Sequence, residues 1–262
     1  MMISRWKFSA LLVLLALTVV SCKGGIKDDP ILRLSAEEAL TKGKELMDRE
    51  KYREATQYLD HAFEVAPNSA TGREALLLSA DSYFLAGGTS SYVKAEAKYR
   101  DFLNRFPTSD RSDYVQMQIA NCLAEQMLKP DRDQTATLKA LTAFEGVLQL
   151  YPTSSWVEEV QARIVEIRQD LAEHEYRVGR YNFRRRIYTS AVWRLADLVE
   201  EYPDFEEMDK VLFMLGQAYG RSSRPEEAIE TFERLSTEYP DSDYVKKIPD
   251  IEKYKRKEKK QK

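Results

Sequence analysis

Apolar residues recur in the last third of this chain with the spacing of two consecutive amphipathic helices. In the 34 residues from Asp209 to Ser242, one predicted helix face consists of Leu212, Leu215, Gly216 and Tyr219. After a polar turn, a second face consists of Ala228, Phe232, Leu235 and Tyr239, spaced as a buried helix face requires. Pro240 ends the second helix because it lacks an amide hydrogen. The pattern predicts a helical hairpin with its small residues, Gly216 and Ala228, at the helix crossing.

The same order of small and large residues recurs upstream. Counting back from Pro67 places Gly43, Ala55, Leu59 and Ala62 at the corresponding positions, and later copies carry Ala80, Ala120 and Gly179 as their small residues. Ser35 and Glu38 form a capping box ahead of the first copy. The unit resembles the tetratricopeptide (TPR) repeat. One such unit cannot bury both of its faces, so the sequence predicts an all-α TPR solenoid of five helix-turn-helix repeats.

An insertion interrupts the regular spacing within the third repeat. The stretch from Lys129 to Thr137 is longer than a usual TPR turn. Its acidic residues, Asp131 and Asp133, are expected at the start of the following helix, where they would interact favourably with the helix dipole. The insertion is therefore expected to be a lengthened turn between two helices.

A long apolar stripe follows the third repeat. Apolar residues continue in steps of three and four from Val157 to Tyr181, which predicts one continuous helix. Ser154 or Ser155 is the candidate cap at its start. We expect this helix to act as a strut between repeats three and four. His174 lies on the stripe and is expected to be half-buried and hydrogen-bonded.

The N-terminus has the features of an export signal. Arg5 and Lys7 precede an apolar run, residues 8–20, which is too short to span a bilayer comfortably. The run leads directly to Cys22 in a sequence that resembles the lipobox of bacterial lipoproteins. Cys22 would then be the first mature residue and would carry the lipid; an uncleaved signal anchor is the alternative. By resemblance to Gram-negative lipoproteins, Lys23 favours sorting to the outer membrane.

These features divide the chain into five segments. Residues 1–21 form the expected signal peptide, and residues 22–34 form a tether. Repeats 1–3 occupy residues 35–152, and the strut helix with repeats 4–5 occupies residues 153–243. Residues 244–262 end in a lysine-rich stretch, which we expect to be disordered. Contact of this tail with anionic headgroups and simple solvation both remain open.

Composition and charge narrow the possible functions. The formal net charge is −3, so a general nucleic-acid role has no electrostatic support. Lipidation of Cys22 would leave Cys122 as the sole thiol, which excludes an intramolecular disulfide. Cys122 lies in an apolar helical pattern and is expected to be a buried structural cysteine.

The sequence carries no motif typical of catalysis or metal binding. The two histidines, His61 and His174, have no cysteine or acidic pair at metal-ligand spacing. Neither the Gly-x-Ser-x-Gly nor the His-Glu-x-x-His motif occurs. We therefore expect a non-enzymatic protein without a cofactor or a metal, which functions through the concave surface of its solenoid. A cell-wall enzyme that uses a groove carboxylate is the alternative from a different class.

The combination of features resembles the BamD family of outer-membrane assembly lipoproteins. The lipobox, the tether, the five repeats, the extended third-repeat turn and the strut carry the resemblance, which covers nearly all of residues 20–243. It implies a lipid-anchored subunit of the β-barrel assembly machinery on the periplasmic face of the outer membrane. Its N-terminal repeats would receive C-terminal segments of unfolded outer membrane proteins, and its C-terminal repeats would dock on a POTRA domain of a BamA-like barrel protein. The alternative is a TPR scaffold of another envelope machine, such as a pilus pilotin or a cell-division coordinator.

The resemblance also assigns partner-binding arginines. In the family, an arginine nine positions before the closing proline of the fourth repeat pairs with an acid on the POTRA domain, and Arg194 occupies that position here. Arginine suits this role because its guanidinium binds a carboxylate through two hydrogen bonds. Arg184, Arg185 and Arg186, in the preceding turn, would extend the positive surface towards the same partner. A solvated helix charge is the plain alternative for Arg194.

TPR geometry also assigns a candidate substrate groove. Positions two, five, nine and twelve of each first helix face the concave side of the solenoid. The candidates are Leu77, Asp81 and Phe84 in the second repeat, and Tyr114, Met117 and Asn121 in the third. This mixture of aromatic and amide groups suits a peptide that ends in an aromatic residue and a free carboxylate. We expect roughly half of the six to pack between the repeats.

Overall fold

The computed structural model of the chain describes residues 29–250. Cys22, the expected signal peptide and residues 251–262 of the tail lie outside this range. Within it, the chain is all α-helical, as predicted, with two short 3-10 helices at Pro30–Arg33 and Val245–Lys247. The α-helices are α1 Ala36–Asp48, α2 Tyr52–Val65, α3 Ala70–Ala86, α4 Thr89–Arg105, α5 Ser112–Ala124, α6 Thr135–Leu150, α7 Val157–Arg184, α8 Tyr188–Glu201, α9 Met208–Arg221 and α10 Pro225–Glu238.

Glycines in the first helices of three hairpins allow close contact with the second helices. A Cβ atom placed on Gly43 would lie 2.5 Å from Leu59, and one on Gly179 would lie 2.6 Å from Leu195. A Cβ atom on Gly216 would lie 2.6 Å from the ring of Phe232. In each hairpin the large residue follows the glycine by 16 positions. The crossing predicted from the order of small and large residues is therefore present, and it recurs along the chain as the TPR architecture requires.

The described residues fall into two compact units, which divide after Ala75. In the first unit, Ser35 caps α1 as predicted. Its hydroxyl accepts a hydrogen bond from the Glu38 amide at 3.2 Å, and the Glu38 carboxylate accepts one from the Ser35 amide at 2.9 Å. His61, only 8% exposed, donates from Nε2 to the carbonyl of Leu34 at 3.0 Å. The imidazole therefore holds the segment before α1 against α2.

The second unit contains two hydrophobic cores, and α7 contributes to both. Val160, Ile167 and Leu171 of α7 belong to the core built with α5 and α6. Ala172 and Tyr176 of the same helix belong to the core built with α8, α9 and α10. α7 is 28 residues long, or about 42 Å at 1.5 Å per residue. The predicted long helix is thus continuous, and its C-terminal half is also the first helix of the hairpin with α8.

The turn before α7 corrects the predicted helix cap. Trp156 occupies the N-cap position of α7, and no side chain caps the helix. Ser154 instead donates a 2.6 Å hydrogen bond to Asp113 at the start of α5. The turn after α10 has the same arrangement, with Ser242 donating to Asp209 at 2.5 Å. These serines tie the end of one hairpin to the start of its own first helix.

Cys122 is a structural residue, as expected from its apolar surroundings. Its side chain is fully buried in α5. Burial raises the pKa of its thiol to about 12, so the reactive thiolate is scarce at neutral pH.

Candidate binding surfaces

Asp81 of α3 accepts hydrogen bonds from tyrosines on two other helices. The hydroxyl of Tyr99 in α4 donates to the Asp81 carboxylate at 2.6 Å, and that of Tyr114 in α5 donates at 2.9 Å. Burial raises the pKa of Asp81, and the two hydrogen bonds and the charge of Arg111 oppose this shift. Burial together with Asp81 also raises the pKa of both tyrosines, which keeps them protonated as donors. The cluster joins α3, α4 and α5 at the candidate groove.

Tyr114 is the half-buried member of this cluster that neighbours two further side chains. Its ring centroid lies 5.6 Å from that of Trp156. The guanidinium of Arg111 lies 4.9 Å from the same ring, within the range of a cation–π contact. Further along α5, Asn121 donates to Gln118 at 3.1 Å. The structure therefore brings Asp81 and Tyr114 together, whereas Asn121 lies two turns further along α5.

The remaining groove candidates differ in exposure. Leu77 and Phe84 of α3 are half-buried, and the ring of Phe84 packs against Tyr92 with centroids 5.6 Å apart. Met117 is only 2% exposed and belongs to the core that α5 shares with α6 and α7. This corrects the expectation for Met117, because a side chain used to fill the core is not available to a peptide.

The four candidate arginines do not form one cluster. Arg194 of α8 donates to Glu175 of α7 at 3.1 Å, and its side chain remains 51% exposed. Arg184 and Arg185, at the end of α7, line a cavity, whereas Arg186 is exposed in the turn with a positive φ of 64°. The candidate partner surface is therefore divided between the end of α7 and the face of α8.

The cavity at the end of α7 has a volume of about 480 Å³ and a strongly cationic lining. Its lining residues are Asp131 from the insertion, Arg177, Arg180, Tyr181 and Arg184 from α7, and Arg185 directly after α7. Arg177 and Arg180 were not among the residues selected from the sequence. Their helical spacing relative to Arg184 was the available signal, and we call this cavity the arginine pocket.

The insertion that contributes Asp131 is held against α7. Nδ1 of His174 donates a 2.6 Å hydrogen bond to the carbonyl of Pro130, so the half-buried, hydrogen-bonded state predicted for His174 is confirmed. Within the insertion, Gln134 donates to the carbonyls of Lys129 and Arg132 at 3.1 and 2.9 Å. Asp133 accepts from the amide of Thr135 at 3.0 Å at the start of α6, as its predicted position requires.

Two further surfaces were not identified from the sequence. A groove of about 960 Å³ lies between α4 and α6, with Ile119 and Leu123 of α5 on its floor and Leu138 on its rim. These residues have the pattern of ordinary core positions, so the sequence did not distinguish them. Trp193 of α8, next to Arg194, is 64% exposed. An exposed tryptophan beside an arginine is typical of protein–protein contact sites.

The residues that the structure describes contain no group of three or more His, Cys, Asp or Glu arranged to hold a metal ion. None of the helices described is both long and apolar enough to cross a bilayer.

Successive hairpins with small residues at their crossings, and with aromatic and arginine side chains on their surfaces, define a TPR-type scaffold. Proteins of this class present shaped surfaces to other proteins.

Comparison with known proteins identifies the family. A profile of the YfiO family, described as an outer membrane lipoprotein, matches residues 33–226, and the chain belongs to this family. It is 26% identical over 218 residues to the outer membrane protein assembly factor BamD of Caulobacter vibrioides, covering 82% of this chain and 70% of that protein. It is also 26% identical over 223 residues to BamD of Haemophilus influenzae, covering 81% and 83% respectively. The BamD-family resemblance inferred from the sequence is confirmed, and with it the prediction of a non-enzymatic protein.

Solved structures of TPR proteins are also similar to this chain. The TPR2AB domain of yeast Sti1 in complex with pHSP90 has a TM-score of 0.46 at 14% identity, with 80% of each chain covered. YrrB, a TPR protein, has a TM-score of 0.34 at 15% identity, with 80% of this chain and 89% of that chain covered.

Proposed function

We propose that this chain is a lipid-anchored subunit of the β-barrel assembly machinery on the periplasmic face of the outer membrane. The lipid is attached to Cys22, and residues 22–34 act as the tether. The N-terminal repeats bind C-terminal segments of unfolded outer membrane proteins, and the C-terminal repeats bind a POTRA domain of a BamA-like barrel protein. Membership of the YfiO family and the similarity to proteins named as BamD assembly factors support this proposal.

Tyr114 is the observation that carries the substrate-binding part of the proposal. Asp81 and Trp156 fix the orientation of its ring, so little conformational entropy is lost when a peptide packs against it. The exposed guanidinium of Arg111, 4.9 Å from the ring centroid, supplies a positive charge at the same place. An aromatic residue followed by a free carboxylate matches this pair of groups.

Arg194 carries the partner-binding part of the proposal. Its ion pair with Glu175 is more than half exposed on the arginine side, and pairs of this kind contribute about 0–1 kcal/mol. The exposed part of the Arg194 guanidinium is therefore open to a carboxylate of the partner. The exposed indole of Trp193 beside it provides apolar area that a charged contact alone lacks.

The proposed mechanism involves no bond-making step. A chain that holds an unfolded barrel segment and the barrel protein at the same time raises the effective concentration of one near the other. The hairpins keep their binding residues in place through interlocked cores, and the substrate supplies the flexible part.

Co-purification tests this proposal. The full chain, extracted from membranes with detergent after crosslinking, is expected to carry a BamA-like barrel protein. Arg194→Glu is expected to reduce the recovered partner several-fold. Arg234→Glu is the matched control, because Arg234 is also a half-exposed helix arginine paired with a glutamate. Absence of any BamA-like protein would favour a scaffold of another envelope machine.

The proposed lipid attachment at Cys22 is tested by a separate experiment. Mass spectrometry of the mature protein is expected to show a lipid-modified N-terminus at Cys22. A mature chain that begins at any other residue would remove the proposed anchor but would leave the partner proposal standing.

A further inference from the structure

Four arginines lie on one side of the C-terminal end of α7, three of them within the helix and one directly after it. Arg177, Arg180, Arg184 and Arg185 all line the arginine pocket, and among residues 29–250 its one acidic lining residue is Asp131. Their spacing of i, i+3, i+7 and i+8 places them along about 12 Å of helix axis. The pocket is therefore an elongated row of guanidinium groups and not a single charged point.

The positive charge of this row is only partly neutralised within the chain. Arg177 donates to Glu173 at 2.6 Å and also lies within the electrostatic influence of Asp131. Among residues 29–250, no carboxylate forms an ion pair with Arg180, Arg184 or Arg185. Like charges held this close repel one another, and the repulsion is relieved only by water, salt or an anionic ligand.

The wall opposite the arginines is held in place by the chain itself. The 2.6 Å hydrogen bond from His174 to the Pro130 carbonyl ties the insertion to α7 one turn before Arg177. Gln134, which is 8% exposed, holds the backbone of the insertion in a fixed turn through Lys129 and Arg132. The insertion thus encloses one side of the arginine row, which an ordinary solvated helix face lacks.

We infer that the arginine pocket binds an extended acidic segment of a protein partner. This inference deepens the proposed partner-binding role of Arg184 and Arg185 and rests on it. Each guanidinium can bind one carboxylate through two parallel hydrogen bonds. Two acidic residues four positions apart in an extended chain point to the same side and lie about 13 Å from each other, which matches the length of the row.

The shape of the pocket favours a peptide over a single phosphate group. One phosphate would engage arginines at one point of the row and would leave the others unpaired. Tyr181, 61% exposed, lies on the same side of the helix between Arg180 and Arg184. Its ring offers an apolar surface on which the segment between the two acids can pack. A lone phosphate has no apolar part to contact this ring.

The test measures fluorescence anisotropy of a fluorescein-labelled peptide with two glutamates four positions apart. The full chain in detergent is expected to bind it with an affinity that falls steeply with salt. Arg180→Gln with Arg184→Gln is expected to weaken binding about tenfold or more. The control is Arg163→Gln with Arg234→Gln, which removes the same charge from two paired surface arginines and is expected to bind as the unchanged chain does.

Two single variants test how the pocket is built. Asp131→Asn is expected to strengthen peptide binding, because it removes an acidic group from the lining of the pocket. His174→Ala is expected to weaken it although every arginine remains, with helix content unchanged by circular dichroism. Weakening by Asp131→Asn, or unchanged binding in His174→Ala, would overturn the assignment of the insertion as a wall of the pocket.

Equal affinity in the Arg180/Arg184 variant and its control would overturn the inference. So would binding of phosphatidylglycerol vesicles by the unchanged chain without any binding of the peptide, which would indicate a lipid site. Co-purification with a BamA-like protein is a separate readout. If the barrel protein is recovered but the peptide does not bind, the pocket inference fails and the proposed function stands. If the peptide binds but no barrel protein is recovered, the pocket inference stands and the proposed function fails.

Discussion

The hydroxyl of Tyr114 donates a 2.9 Å hydrogen bond to the carboxylate of Asp81, which lies 33 residues earlier in the chain. The same carboxylate oxygen accepts from the buried Tyr99 at 2.6 Å. A buried carboxylate is costly unless its lone pairs are satisfied, so the two tyrosines make Asp81 tolerable at this position. The orientation of the half-buried Tyr114 ring is a consequence of that requirement.

Removal of one of these donors is expected to destabilise the chain. Tyr114→Phe leaves Asp81 with one tyrosine partner, and the expected loss in the free energy of unfolding is about 1–3 kcal/mol. Urea denaturation followed by circular dichroism measures it. Tyr151→Phe is the control, because the Tyr151 hydroxyl makes no hydrogen bond within residues 29–250. An equal effect of the two substitutions would contradict the importance of the hydrogen bond.

The raised pKa of Asp81 predicts a pH dependence of stability. The folded chain holds the Asp81 proton more tightly than the unfolded chain, whose aspartates titrate near the ordinary value of about 3.9. Stability from this group is therefore greatest at low pH and is lost as the pH rises through the raised pKa. The substitution Asp81→Asn keeps the size and shape of the side chain but removes the carboxyl group that titrates.

The measured quantity is the difference in the free energy of unfolding between the unchanged chain and Asp81→Asn. We expect this difference to fall as the pH rises from about 4 and then to level off. Urea titrations of both proteins at a series of pH values provide the measurement. A difference that increases with pH would mean that the hydrogen bonds from Tyr99 and Tyr114 outweigh the burial of Asp81.

The candidate groove is expected to depend on two aromatic rings. Tyr114→Ala combined with Phe84→Ala is expected to weaken binding of a C-terminal peptide of a barrel protein about tenfold or more, as loss of aromatic anchors does in other interfaces. Fluorescence anisotropy gives the affinity, and circular dichroism checks that the helices persist. Trp193→Ala, which removes an exposed ring from α8, is the control. Unchanged affinity in a folded double variant would remove the groove assignment.

Two glycines in helices are expected to respond to alanine in opposite directions. In Gly216→Ala the new Cβ would lie 2.6 Å from the buried ring of Phe232, and overpacking of this kind costs about 1–3 kcal/mol. In Gly146→Ala the new Cβ would meet nothing within 4 Å, and alanine is expected to stabilise α6 by about 0.5–1 kcal/mol. Thermal unfolding compares the two. Stabilisation by both would mean that the α9–α10 crossing is looser than the structure shows.

The hairpins were predictable because their determinants are local. The small residue and the large residue at a crossing, as in Gly216 and Phe232, lie 16 positions apart in the same repeat. The capping box of Ser35 and Glu38 spans three positions. Apolar periodicity alone therefore predicts the helices and their pairing, including the continuous helix α7.

Hydrogen bonds outside the helix crossings, which join more distant residues, were not predictable in the same way. The Asp81 cluster, the Asp113–Ser154 hydrogen bond and the anchoring of the insertion by His174 join residues 18 to 44 positions apart. Met117 illustrates the consequence, because its repeat position suggested a groove residue and its packing with α6 and α7 placed it in the core.

The amino-acid sequence was sufficient for the family and the hairpin architecture, since these depend on motifs and on spacing within one repeat. The identity of the side chains that are exposed, paired or buried at the binding surfaces required the folded chain. Those properties depend on how one hairpin packs against the next, and the burial of a side chain is decided by neighbours that come from distant parts of the sequence.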